Sequence, residues 1–282
     1  MAWVPQHLKW LVDTGKRLKT ADGKQVEVWE FNHQEDDQTL SAWAKHFRYH
    51  YCFDCDIDSM RGQKTRKDYF IDIKFPAKTT KLGPGIRAGD FGEILVADYL
   101  QWFLGYWVPR VRWSSKPVRD DSPKGSDILG FRFHKPGEIS KHDCLAVFET
   151  KTRFSQGSSK SRLQEAVNDS AKDHLRIAES LYYVKQKLYK RGDKSLVETV
   201  ERFQNPVDYP YSEVYGAAAL FSTDLFDAAA ISKTDTTKVP IKKKSGTYYQ
   251  HPNRDRLVLI VIRGNNMMNL VHTLYQRAAD EA

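Results

Sequence analysis

Short apolar runs with a two-residue period alternate along this chain with longer stretches of helical period. Residues 26–31 (Val-Glu-Val-Trp-Glu-Phe), 68–75 and 127–133 alternate between apolar and polar side chains, as half-buried strands do. Residues 143–151 and 256–263 are apolar on both faces, the pattern of central strands covered on both sides, and residues 214–222 read as a further strand. Helical spacing predicts a helix behind Asp36 or Asp37 carrying Leu40, Trp43, Ala44 and Phe47, and others over 90–103, 161–191, 193–204 and 266–279. The second of these starts on a capping box, with Asp90 as N-cap and Glu93 reaching back from the third helical position. The third reads as one long helix with Leu163, Val167, Ala171, Leu175, Ala178, Tyr182 and Tyr189 on its apolar stripe. It would span roughly 46 Å at 1.5 Å per residue, long enough to reach beyond its own sheet to a partner.

Strands interleaved with helices predict an α/β fold, a mixed central sheet flanked by helices. The pattern divides the chain into an N-terminal α+β extension over 1–85, suited to packing or partner docking, and a main domain over 86–282. A Pro/Gly/Lys connector over 76–85 joins them.

The chemistry gathers where the central elements end. Gly125-Ser126-Asp127 opens one strand, and Glu149-Thr150-Lys151 closes the next. If the loop between them folds as a hairpin about Glu138, Asp127 stands opposite Glu149. Like charges about 5 Å apart across two strands destabilise the pair unless a positive group lies between them. A divalent cation, Mg²⁺ or Mn²⁺ in its place, answers that need, and Lys151 on the Glu149 face is placed to hold and polarise a water. Glu93, in the first turn of the predicted helix, is a third candidate carboxylate.

The order of these motifs resembles that of the restriction-endonuclease-like superfamily, the PD-(D/E)XK nucleases: helix glutamate, strand aspartate, strand Glu-x-Lys, then a long helix. More narrowly, residues 88–190 resemble the nuclease subunit of the Hachiman anti-phage defence system, the DUF1837 family. The stretches that carry this are Gly89-Asp90-Phe91-Gly92-Glu93-Ile94-Leu95, Gly125-Ser126-Asp127, Phe148-Glu149-Thr150-Lys151 and residues 166–174 (Ala-Val-Asn-Asp-Ser-Ala-Lys-Asp-His). Ser126 stands where the superfamily name expects proline. The resemblance implies a restriction-endonuclease-like core that cleaves DNA phosphodiesters, with Asp127 and Glu149 binding the metal, Lys151 assisting the water and Glu93 as an outer acidic position. It also implies a separately encoded superfamily 2 helicase as partner. The alternative is a non-catalytic DNA-binding or scaffolding subunit that kept the nuclease fold.

Composition agrees with an anionic partner. Lys+Arg 44 against Asp+Glu 36 gives a formal charge of +8, and the pI is 9.2. Candidate DNA contacts are Lys160 and Arg162 beside the proposed site, and Lys242, Lys243 and Lys244 near Tyr248 and Tyr249, where basic residues beside aromatics suit phosphate and base. No apolar run is long enough to span a membrane, so a cytoplasmic protein is expected. Three cysteines argue against a disulfide framework. Cys52 and Cys55, with His46 and His50 upstream, have half the spacing of a zinc site, but two reduced thiols are the simpler reading.

Overall fold

In the computed structural model, which describes residues 4–123, 125–135, 137–156, 161–241 and 246–282, six strands form one sheet in the order β1-β2-β8-β5-β4-β3. These are β1 (Leu11–Lys19), β2 (Gln25–Phe31), β3 (Ile128–Arg132), β4 (Cys144–Arg153), β5 (Ser212–Ser222) and β8 (Leu257–Gly264). β2, β8, β5 and β4 run parallel, and β1 and β3 close the two edges antiparallel. The strands read as apolar on both faces, β4 and β8, lie inside the sheet with β5 between them, because only a strand covered on both sides can bury every side chain. β6 (Val239–Pro240) and β7 (Tyr248–Tyr249) pair in a small ladder of their own.

Helices cover both faces. α1 (Asp37–Tyr49), α4 (Gly83–Trp102) and α9 (Met267–Asp280) pack on the face carrying Ala146, Phe148, Ala218, Leu220, Ile260 and Ile262. α5 (Arg162–Ser170), α6 (Asp173–Arg191) and α7 (Lys194–Phe203) pack on the face carrying Leu145, Val147, Ala217, Ala219, Leu259 and Val261. Each fully buried Val, Leu, Ile or Phe in these layers contributes about 1.5–3 kcal/mol. α2 (Asp54–Met60), α3 (Arg66–Tyr69) and the short α8 (Ala228–Ser232) complete the chain.

Close approach between layers depends on glycine at two points. A Cβ on Gly92 would lie 2.5 Å from Thr152 Cγ2, so α4 is seated directly on β4 there. A Cβ on Gly216 would lie 2.2 Å from the Phe148 ring, which lies over β5.

Within residues 1–85, β1 and β2 extend the central sheet through the parallel β2–β8 pairing. Three expectations are corrected. Residues 68–75, read as a strand, form the end of α3 and a π-helical turn over Phe70–Lys74. Their aromatic residues pack inward at helical spacing, with Tyr69, Phe70 and Phe75 all buried. α4 begins seven residues earlier than the capping box at Asp90 would have it, and Asp90 and Glu93 lie buried inside it. The single helix of 161–191 is two, α5 and α6, divided at Ala171–Lys172. The break changes the phase, so α6 buries Leu181, Val184 and Leu188 while Leu175, Tyr182 and Tyr189 stay exposed.

Candidate functional site

β3 and β4 pair with Ile128 opposite Phe148 and Leu129 opposite Val147. One step further, this register sets Asp127 opposite Glu149, as the hairpin about Glu138 requires. Alternation then decides what each β4 residue meets. Thr150 and Thr152 face α4, whereas Glu149 and Lys151 share the face of Leu145 and Val147, towards α5 and α6.

Glu93 projects from α4 and is therefore on the opposite layer from Glu149. It is held by Arg112, whose Nε donates to Glu93 Oε2 at 3.0 Å; Trp113 Nε1 donates to the same oxygen at 3.2 Å. Arg112 Nη2 donates to Asp127 Oδ1 at 3.0 Å and to the Pro123 carbonyl at 2.8 Å, and Nη1 donates to the Ser126 carbonyl at 3.1 Å. The second Asp127 oxygen, Oδ2, accepts from the Thr150 amide at 2.9 Å. Burial pushes the Glu93 carboxyl up to about 8, with Arg112 opposing and the charges of Asp127 and Asp90 adding to the rise. Asp90, one turn before Glu93, accepts from Lys116 Nζ at 2.7 Å and from the Tyr51 hydroxyl at 2.7 Å.

On the other layer, Lys151 Nζ lies 3.0 Å from Asp169 Oδ2 and 3.4 Å from Glu149 Oε2. Burial opposes its charge, but Asp127, Glu149 and Asp169 together raise its pKa above the ordinary lysine value. Lys151 is thus an ammonium at neutral pH, a donor rather than a base. Asp169 runs the other way: against the effect of burial, Lys151 and Lys172 hold it below the usual carboxylate range. Glu149 is driven well above that range by burial first, then by the charges of Asp127 and Asp173.

Asp173, at the start of α6, was not singled out from the sequence. It is fully buried, and its Oδ1 accepts from Ser126 Oγ at 2.9 Å. Burial pushes it up to about 7. Arg112 was missed as well, since a lone arginine in the irregular stretch 103–127 carries no period. His174, beside Asp173 in the 166–174 stretch, has Nδ1 3.0 Å from the Ala171 carbonyl and closes the end of α5.

Two carboxylate oxygens in this region, Glu149 Oε1 and Asp173 Oδ2, are buried and accept from no protein donor, and the two side chains lie within hydrogen-bond reach of each other. An oxygen-only, carboxylate-rich donor set with unsatisfied oxygens fits a hard divalent cation such as Mg²⁺ or Mn²⁺. The three acids named from the sequence do not converge on one point. Among the described residues, the one group of at least three His, Cys, Asp or Glu side chains whose ligand atoms lie within 4.8 Å of one another is His46, His50 and Asp98. That group is an ion-pair network. Arg110 Nη2 donates to Asp98 Oδ1 at 2.6 Å, Arg110 Nη1 lies 2.9 Å from His50 Nε2, and His7 Nε2 lies 2.9 Å from Asp98 Oδ2. Cys52 is buried and Cys55 exposed, and both are free thiols outside that group.

Of the candidate DNA contacts, Arg162 donates to Glu165 at 2.6 Å on the first turn of α5. Lys160, Lys242, Lys243 and Lys244 lie outside the described residues. A cavity of about 240 Å³ borders Asp127 and Arg112, walled by Val108, Trp113, Tyr183 and Val184. Among the described residues, no helix is long and apolar enough to cross a membrane.

No curated protein sequence matches this chain. Residues 5–278 match the profile of the HamA family, so nearly the whole chain is covered, including β1 and β2 at one end and most of α9 at the other. The chain belongs to the HamA family, a component of the Hachiman anti-phage defence system.

Proposed function

We propose that this chain is a metal-dependent deoxyribonuclease, the effector subunit of its defence system. The observation that carries the reading is the end of the β3–β4 hairpin. Two opposed acids, Asp127 and Glu149, stand there beside a half-buried lysine, Lys151, that stays protonated. Mg²⁺ held at this end of the hairpin, with Glu149 as a ligand, would stabilise the charge that grows on the phosphoryl oxygens during hydrolysis.

The chain's own groups do the rest. Lys151 is fixed between Glu149 and Asp169, so its ammonium is positioned to donate to a water or a phosphate oxygen, and its raised pKa prevents it from taking the water's proton. Arg112 fixes Asp127 from one side and the Thr150 amide from the other, which sets that carboxylate's direction. Glu93 acts through Arg112 as an outer acidic position: it anchors the guanidinium that orients Asp127. Arg162, Lys160 and Lys242 to Lys244 are the proposed phosphate contacts, in keeping with the charge of +8.

A helicase of superfamily 2 is the proposed partner. Leu175, Tyr182 and Tyr189 support a docked partner, since they stand exposed at seven-residue spacing along α6. The test is plasmid cleavage by wild type and Glu149→Ala, each with and without Mg²⁺ and with and without the co-expressed helicase. Cleavage that needs Mg²⁺ and is lost in Glu149→Ala supports the reading. Wild-type protein that binds DNA but never cuts it, with the helicase present, would leave the scaffolding alternative.

A further inference from the structure

The cation reading leaves a specific question at atomic level: which oxygens are available to it. Both oxygens of Asp127 are already engaged, one by Arg112 at 3.0 Å and the other by the Thr150 amide at 2.9 Å. Glu93 lies on the α4 side of the sheet, and its Oε2 accepts from both Arg112 and Trp113. The buried oxygens that accept from no protein donor are on the other side, Glu149 Oε1 from β4 and Asp173 Oδ2 from the first turn of α6.

Resting on the metal-dependent reading above, we infer that Asp173 is the second carboxylate ligand of the divalent cation, paired with Glu149 on the α5–α6 face of the sheet. Mg²⁺ commonly takes only one or two protein carboxylates and completes its shell with water and substrate oxygens, so this pair is a sufficient protein share.

Asp173 is built for the role. Its Oδ1 is fixed by Ser126 Oγ at 2.9 Å, which leaves Oδ2 with no donor other than a proton shared with Glu149, the place a cation would take. Ser126 is itself held, its amide donating to Ser180 Oγ at 3.3 Å from the next turns of the same helix. This gives a reason for serine in front of Asp127. A proline there would have neither the hydroxyl that orients Asp173 nor the amide that ties the strand to α6. The break between α5 and α6 has a matching consequence, because it turns Asp173 inward at the point where an unbroken helix would continue past the site.

The experiment is Mn²⁺ binding to the full-length chain by titration calorimetry, checked by electron paramagnetic resonance of free Mn²⁺, for wild type, Glu149→Gln, Asp173→Asn and Asp173→Glu. Asparagine keeps an acceptor for Ser126, and circular dichroism establishes folding of each variant. We expect Asp173→Asn to weaken Mn²⁺ binding by more than about a hundredfold, beyond the roughly 10–100-fold cost of losing an outer partner. Asp173→Glu, which keeps the charge but moves it by one methylene, should fall between Asn and wild type. If Asp173→Asn or, should that variant not fold, Asp173→Glu binds Mn²⁺ like wild type while Glu149→Gln does not, Asp173 is no ligand and the metal-dependent reading stands. If wild type and Glu149→Gln bind Mn²⁺ alike, the metal-dependent reading itself fails, and Asp173 with it.

Discussion

Arg112 binds Glu93 and Asp127 at once, with Nε and Nη2 each 3.0 Å from a carboxylate oxygen, and so ties helix α4 to the open end of the β3–β4 hairpin. Removing one member of a buried ionic cluster leaves its partners uncompensated, which typically costs about 3–5 kcal/mol. Arg112→Ala should lose stability on that scale in urea unfolding. Arg112→Lys should recover little of it, because one ammonium cannot reach the two carboxylates and two carbonyls that the planar fork serves. Combining Arg112→Met with Glu93→Gln should restore part of the loss. An Arg112→Ala protein within about 1 kcal/mol of wild type would mean that the acids are compensated by something else.

Stability of the metal-free chain should fall as the pH rises from about 5 to about 8 through the contribution of its buried carboxyls. Burial raises Glu93 from 4.5 to about 8 and Asp173 from 3.8 to about 7, and drives Glu149 well above its ordinary value. Between the ordinary and the raised values the folded chain binds more protons than the unfolded one, so the slope of stability against pH is negative there. Calorimetric melting in the presence of a chelator should show the decline, and Asp173→Asn should make it shallower. Saturating Mn²⁺ should oppose it, since a cation favours the ionised carboxylates. A wild-type melting temperature that climbs through this window without metal would contradict the assignment.

Two glycines of α4 should answer the same substitution with opposite signs. Gly92→Ala puts a methyl group 2.5 Å from Thr152 Cγ2, and overpacking of this kind costs about 1–3 kcal/mol. Gly89→Ala meets nothing within 4 Å and should stabilise the helix by about 0.5–1 kcal/mol. Chemical denaturation of the pair is the measurement. Equal effects would mean that α4 is not seated on β4 at Gly92.

How much of this was legible in the chain depends on the kind of signal each element carries. The Asp127–Glu149 register could be read because a two-residue period on both strands and one turn-rich loop leave a single arrangement that keeps the apolar faces together. The start of α4 could not: residues 83–89 are Gly-Pro-Gly-Ile-Arg-Ala-Gly, and their glycines and proline look like a linker, although Pro84 is well suited to a first helical turn. Tertiary packing against Tyr51 and Lys116 then makes Asp90 an interior acid instead of a cap. Asp173 was hidden by the α5–α6 break, which lacks glycine or proline to mark it. Both Asp173 and Arg112 are single polar residues whose importance comes from what they touch across the sheet, and no local period reports that.

The exposed stripe of α6 offers a direct test of partner docking. Tyr182→Glu combined with Tyr189→Glu adds charge where Tyr182 is 58% and Tyr189 is 72% exposed, so folding should be nearly unaffected. Co-purification of the tagged chain with the co-expressed helicase should be lost if this stripe is the contact. Retention of the helicase at the wild-type ratio would move the contact elsewhere on the surface.

Among the described residues, both margins of the sheet carry features that resist pairing with a further strand. On one side β1 shifts register between Asp13 and Arg17 and carries Lys16, Arg17 and Lys19 along its length. On the other, β3 is only five residues long, and Trp107 occupies its outer side through a reciprocal pair of bonds with Phe131, at 2.7 and 2.8 Å. Kinked, charged and short margins resist edge-to-edge aggregation. Copies of the chain crowded together in a cell therefore have little tendency to zip into fibres, and whatever assembles with this sheet must do so through side chains on its helices, where a single substitution can retune the fit without disturbing the fold.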